Sequence, residues 1–470
     1  MGLALIGLTS QLLYIRFFLK PYPLLTYYAV PLLDMGKMTG HSFAGAFDFA
    51  TAFFLLFVLC YMGYVLCRGE SSPYLLLVVF LFAFLCGLTL LFVYPITAAD
   101  IFDYILQGRV MAYHGANPYL YAPLDFRNDP LLRYSAWPWI TSPYGPIWSY
   151  ISSGITRLAG SSLLANLVLF KGLALLIHLI NAGLIYRILA RWRSSYVLAG
   201  TLLYAWNPLV LFESAANGHN DAMMMFFVLL AIDLYLRRRF ALAVPAAACS
   251  CLVKLPTIIL VPLFLVGGWR ALSGPRSRSR FLIVSGLLTV GLVALVYAPL
   301  WEGVASLSWL ERSNMFSTSF AAVAALTLRG WLDKELAESL ARYGVLLLFG
   351  LFYVWQIIRL RSEARPFLFA LYWTVFVFLS VAVLWFQPWY LMWLVALGAI
   401  LPSAAIASLT TLFSYTVTWN YLVYIFFLLW YLPVMTSGDT LVVNVISLLL
   451  IFVPPLAYAA YVIRKRALST

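Results

Sequence analysis

Long apolar runs recur along this chain, most of them about twenty residues, enough for a helix to cross roughly 30 Å of hydrocarbon. No other feature restricts the fold as strongly. Lipid offers no partner to an open backbone group, so such segments must be helices; a barrel would alternate polar and apolar residues instead. With 64% hydrophobic and only 10% charged residues, the chain reads as an all-α polytopic membrane protein without a soluble domain. Counting the runs predicts about 13–14 transmembrane helices in a single membrane domain, residues 1–470.

Charge placement orients these runs. The net charge is +13, yet the basic residues lie in short loops between runs, which is no footprint for nucleic acid. Under the positive-inside rule, the clusters at Arg187–Arg193, Arg237–Arg239, Arg270–Arg280, Arg359–Arg365 and Arg464–Arg466 mark the cytoplasmic side. Residues 1–19 lack a basic leader and a small-residue cleavage site, so they read as a first span rather than a cleaved signal. Residues 96–160 then form an extracytoplasmic loop, whose SAWPWITSPYGPIW run suits an interfacial platform. Residues 240–269 are too few for two full crossings, and predict a hairpin of short helices broken at CLVKLP. A second extracytoplasmic loop covers 301–341. The five cysteines lie in or beside apolar runs without metal-ligand spacing, and no two of the four histidines form a metal pair, so no metal is expected.

Five motifs carry candidate chemistry. ADIFDY, residues 99–104, sets Asp100 and Asp103 one helical turn apart where a span ends. A carboxylate there can act as general base, with Asp103 the alternative to Asp100; capping a helix is the other reading. GHND, residues 218–221, offers His219, Asn220 and Asp221 to sugar hydroxyls, or simply makes a turn and a cap. Lys254 stands between two apolar halves; it suits a phosphate, and the alternative is snorkelling. FQPWYLMW, residues 386–393, places Gln387, Trp389 and Tyr390 where they can bind a sugar or belong to an aromatic belt. SPYGPIW, with Tyr144, is a similar Pro/Gly turn with aromatics.

Taken in order, ADIFDYILQGR, NPYLYAP, SPYGPIW, NPLVLFESAANGHNDA, VKLP and QPWYLMW resemble the polyprenyl-phosphate-mannose-dependent alpha-mannosyltransferases of bacterial cell envelopes. The resemblance runs from about residue 90 to 395. It implies a GT-C bundle in the cell membrane with an extracytoplasmic active site. Asp100 matches the family's catalytic base, and Glu213 with the GHND turn matches positions lining the cavity. Lys254, with Arg109 or Arg312, falls to the donor phosphate. His219, Asn220, Asp221, Gln387, Trp389, Tyr390 and Tyr144 fall to sugar and acceptor positioning. The implied reaction is inverting transfer of a sugar, foremost mannose, from a polyprenyl phosphate to a lipid-anchored glycan or other envelope acceptor. No cofactor is expected; the lipid-linked sugar is a substrate and membrane lipids are the other partners. A transporter or flippase of a lipid-linked sugar is the alternative, and internal repeats, which would favour it, are not seen.

Overall fold

The computed structural model describes residues 1–310, 315–431 and 441–467. Helices α1 (Gly2–Tyr14, prolonged to Leu19 by a π turn), α2 (Phe43–Leu66) and α3 (Pro73–Leu91) open the bundle. The stretch after α3 supplies α4 (Asp100–Ala112), and α5 (Pro146–Ala159) packs across it. Next come α6 (Leu163–Trp192), α7 (Val197–Ala205), α8 (Pro208–Ala215) and α9 (Asp221–Leu236). Short helices α10 (Phe240–Cys251) and α11 (Val261–Ala271) follow, then α12 (Pro275–Tyr297), α13 (Lys334–Arg359) and α14 (Ala364–Val377). The chain continues through α15 (Leu391–Ala399), α16 (Ala404–Thr416), α17 (Leu441–Ile451) and α18 (Val453–Ala467).

The protein is thus an all-α polytopic membrane protein, with only isolated β-bridges and no strand among the described residues. Eight described helices are long and apolar enough to cross a membrane, or nine if α7 and α8 count as one bent span. The expected run at 389–402 is a shorter apolar piece, α15, while residues 240–269 form short helices with the break at Lys254, as the CLVKLP run implied. Hydropathy registers an apolar run whether or not proline and capping residues divide it. The α7–α8 bend of 50° shows how such a division is made. Pro208 has no N–H to lose at a helix start, and the Asn207 side chain accepts from Val210 N at 3.2 Å. Asn207 also donates to Ser414 Oγ, and the Trp206 indole donates to Val79 O, so the break leaves these polar groups paired.

Burial sorts the helices into layers. Every residue of α7, α8 and α15 is buried. Leu287, Val290 and Leu295 of α12, and Leu347 and Leu351 of α13, are exposed, as faces turned to lipid are. The two ends of the bundle differ in charge. At one end Asp233, buried near the close of α9, takes Arg187 at 2.9 Å, Arg191 at 3.4 Å and Arg237 at 2.8 Å. At the other end of α9, about 18 Å away at 1.5 Å per residue, stands Asp221.

Close backbone contact brings the α4–α5 loop onto the break after α10. Gly145 N donates to Val253 O at 3.0 Å, and Ile147 N to Leu252 O at 3.0 Å. A Cβ on Gly145 would lie 2.2 Å from the Leu252 carbonyl oxygen, whereas one on Gly154 would meet nothing within 4 Å. Gly145→Ala is therefore expected to cost about 1–3 kcal/mol and lower the melting temperature in detergent. Gly154→Ala, inside α5, is expected to leave it unchanged or slightly higher. Equal melting temperatures for Gly145→Ala and wild type would contradict the tight contact.

Candidate active site

The entry to α4 is held at several points before any charged side chain appears. Tyr94 N donates to Tyr22 O at 2.8 Å, Met35 N donates to Ile96 O at 2.9 Å, and the buried Lys171 amino group donates to Val93 O. Asp100 then begins α4, where a negative charge meets the positive end of the helix dipole. Its side chain keeps 26% of its surface exposed. The Tyr144 hydroxyl donates to Asp100 Oδ1 at 3.2 Å, and His219 Nε2 lies 3.8 Å from Oδ2. Burial raises the Asp100 carboxyl above its ordinary 3.8, while nearby Lys254 and the Tyr144 hydroxyl pull the other way.

Behind Asp100 the turn between α8 and α9 delivers further ionisable groups. Gly218 sits at φ +73°, in the left-handed region, and lets the chain reverse within GHND. His219 is fully buried, with Nδ1 3.4 Å from Glu213 Oε2 and its ring 4.2 Å from the Trp389 ring. Burial, and then the charge of Lys254, hold its pKa well below the usual histidine range. Glu213 accepts from the Tyr421 hydroxyl at 2.6 Å and from Asn217 Nδ2 at 2.7 Å. Asn220 accepts a long bond from the Tyr104 hydroxyl at 3.5 Å.

Lys254 reaches this group from the break after α10. Its ammonium lies 3.0 and 2.9 Å from the two oxygens of Asp221, which also accepts from the Trp393 indole at 2.6 Å. The same ammonium stands 5.0 Å from the Tyr390 ring centroid and 5.9 Å from that of Trp393. The lysine is therefore held by a carboxylate and two aromatic faces. Gln387, half-buried, opens the turn Pro388–Tyr390 that carries Trp389.

The structure thus brings Asp100, Tyr144, Glu213, His219, Asn220, Asp221, Lys254, Trp389 and Tyr390 into one connected cluster, with Gln387 at its border. It does not bring Arg109 there. That guanidinium is buried along α4, with Nε 3.0 and 2.8 Å from the two Asp129 oxygens, and is stacked on Tyr113. Burial pushes the Asp129 carboxyl upward, but bonds from Leu131 N–H, His114 and Arg109 prevail and hold it low. Arg109 consequently braces the loop instead of meeting a phosphate. Asp103 is likewise committed: Ser135 Oγ and Trp137 N (3.1 Å) both donate to its Oδ1. Burial outweighs those bonds and pushes it up to about 7. An almost fully buried carboxyl engaged with the 135–137 loop replaces the expected alternative base. Arg312 lies outside the described residues.

Sequence reasoning missed Trp393 and Tyr421, which bond to Asp221 and Glu213. Trp393 closes the QPWYLMW run and was within reach of inspection, whereas nothing in the sequence ties Tyr421 to Glu213. Among the described residues, no group of three or more His, Cys, Asp or Glu could hold a metal ion.

Residues 32–270 match the family described as alpha-(1->6)-mannopyranosyltransferase, N-terminal domain. Relatives include alpha-(1->6)-mannopyranosyltransferase A of Corynebacterium glutamicum, 24% identical over 66% of this chain and 68% of that protein. Alpha-(1->6)-mannopyranosyltransferase A of Mycobacterium tuberculosis is 27% identical over 67% of this chain and 65% of its own length. The B enzyme of C. glutamicum is 26% identical over 51% and 41%. The match therefore spans about two thirds or less of these relatives' length.

Asp221→Ala would leave Lys254, only 12% exposed, without its carboxylate. Loss of one partner of a buried pair costs about 3–5 kcal/mol, so a marked fall in melting temperature is expected. The double variant Asp221→Asn/Lys254→Gln should recover most of that loss. If the single and double variants melt together, the pair is not the stabilising unit described.

Proposed function

The chain belongs to the alpha-(1->6)-mannopyranosyltransferase family, and from that premise we propose that it moves mannose from a polyprenyl-phosphate donor to a glycan or glycolipid acceptor. The donor's lipid tail lies among the helices and its phosphate and sugar reach the Asp100 end of the bundle. That end is extracytoplasmic on this reading, because the arginine cluster around Asp233 occupies the opposite end of α9 and basic ends face the cytoplasm.

The observation that carries the reading is the pairing of roles at one place. A partly exposed carboxylate, Asp100, and an ammonium, Lys254, belong to one cluster, joined through His219, Trp389 and Tyr390, whose aromatic faces lie between them in the chain of contacts. The acceptor hydroxyl attacks the anomeric carbon as the bond from that carbon to the phosphate oxygen breaks. Polyprenyl phosphate leaves with the electron pair, and the configuration inverts, so a β-linked donor yields an α product. Positive charge builds on the sugar ring in the transition state. Asp100 takes the hydroxyl proton, with Tyr144 fixing one of its oxygens. Lys254 offsets the charge of the leaving phosphate, and Asp221 keeps the ammonium in place until the phosphate shares it. Trp389, whose ring packs at a tilt of 40° against buried His219, supplies the aromatic face for the mannose ring.

Asp100→Asn is expected to reduce transfer by about 10²–10⁴-fold, the usual contribution of a positioned base, with the protein still folded. Only the ionised carboxylate accepts a proton, and the Asp100 pKa is raised, so activity should fall with decreasing pH already above the ordinary carboxylate range. Tyr144→Phe removes a hydrogen bond that favours the charged form, which should move this acid limb to higher pH. The measurement is labelled-mannose transfer from synthetic polyprenyl-phosphate-mannose across a pH series. An acid limb that shifts downward in Tyr144→Phe, or full activity of Asp100→Asn, would refute the assignment.

A further inference from the structure

Two large aromatic side chains beside the site have no part in the mechanism above. Trp137 is 41% exposed and Trp139 60%, and their rings meet edge to face with centroids 5.9 Å apart. Exposed indoles on a membrane protein ordinarily suit the headgroup layer. Three features of this pair argue for a different partner.

The first is rigidity. Pro138 O accepts from Leu124 N at 2.8 Å, Trp137 O accepts from Ile140 N at 3.1 Å, and Pro118 O accepts from Ser142 N at 2.7 Å. The buried Asp103 carboxylate adds bonds from Ser135 Oγ and Trp137 N. A costly buried carboxyl is thus devoted to fixing the backbone that carries the indoles, more than immersion in a fluid layer requires. The second is position. Asp103 lies one turn of α4, about 5 Å, from Asp100, so one turn and one carboxylate's reach separate the Trp137 backbone from the base. The third is the company they keep. Asp125, Arg127 and Asn128, in the neighbouring loop joined through Leu124 and Pro138, are also exposed, which suits hydroxyl groups better than hydrocarbon.

We propose that Trp137 and Trp139 form a stacking subsite for the acceptor glycan, holding a sugar ring set back from the one that reacts. The inference rests on the transferase reading and deepens it: the acceptor is an oligosaccharide recognised over more than its terminal residue. Apolar faces of pyranose rings lie on the indoles, and Asp103 acts as a positioning residue for the loop. Contacts remote from the reacting hydroxyl, equal in ground and transition states, lower KM without changing kcat.

The test uses the full chain in detergent, polyprenyl-phosphate-mannose as donor, and α-(1→6)-linked mannose oligomers of increasing length as acceptors. For the wild type, KM should fall as the acceptor lengthens. In Trp137→Leu/Trp139→Leu, KM for the longer oligomers should rise about tenfold, the order of one aromatic contact, with kcat and the disaccharide KM unchanged. Trp137→Phe/Trp139→Phe should recover much of the loss. Calorimetric titration of a long oligomer without donor reads the subsite independently of turnover. Weaker binding in the Leu variant, even if no preparation transfers mannose, would sustain the subsite while sinking the transferase reading. Equal binding by wild type and the Leu variant, or an equal KM rise for short and long acceptors, would overturn the subsite itself.

Discussion

The arrangement depends on how a bundle made largely of apolar helices tolerates several ionisable groups at one place. A lone charge taken from water costs several kcal/mol even after relaxation. Here Asp221 and Lys254 neutralise each other, while Trp393, Tyr390, Tyr421 and Asn217 supply bonds or aromatic faces to the group. Asp100 alone among its carboxylates retains a substantial exposed surface: Glu213 and Asp221 are fully buried. The compensation therefore does two jobs at once. It makes the cluster tolerable, and it leaves one carboxylate with access to a proton donor from outside.

Backbone contacts put these groups together, and they come from widely spaced parts of the chain. Asp100 enters with α4, Glu213 with the last turn of α8, His219 with the α8–α9 turn, Lys254 with the break after α10, and Trp389 with the turn before α15. Gly145 lets Tyr144 and the Lys254 break share a backbone seam, which couples the loop carrying one to the helix end carrying the other. The arginine-rich end near Asp233 lies a full helix away, so one set of helices separates a strongly basic surface from the polar cluster.

Much of this was legible in the sequence. Scarce polar residues in apolar surroundings stand out, and ADIFDY, GHND, VKLP and QPWYLMW do converge. What the sequence could not reveal is who partners whom. Lys254 has no acid in its own run, and its carboxylate is 33 positions earlier. Asp100 and Asp103 look alike in a linear string, yet one stays partly exposed and the other is tied to Ser135 and Trp137. Arg109 looked available because Asp129 lies beyond a proline- and aromatic-rich loop whose path no periodicity describes. The described residues hold fewer full-length spans than apolar runs for a related reason: hydropathy measures how apolar a run is, not where Asn207 and Pro208 bend it.

The most direct test of a single displacement assisted by Asp100 is the stereochemistry of transfer, followed by NMR with donors of defined anomeric configuration. In such a displacement, polyprenyl phosphate bearing β-linked mannose is consumed and the new linkage is α. An α product formed from an α-linked donor would mean retention, and would contradict a mechanism in which the acceptor hydroxyl displaces the phosphate in one step.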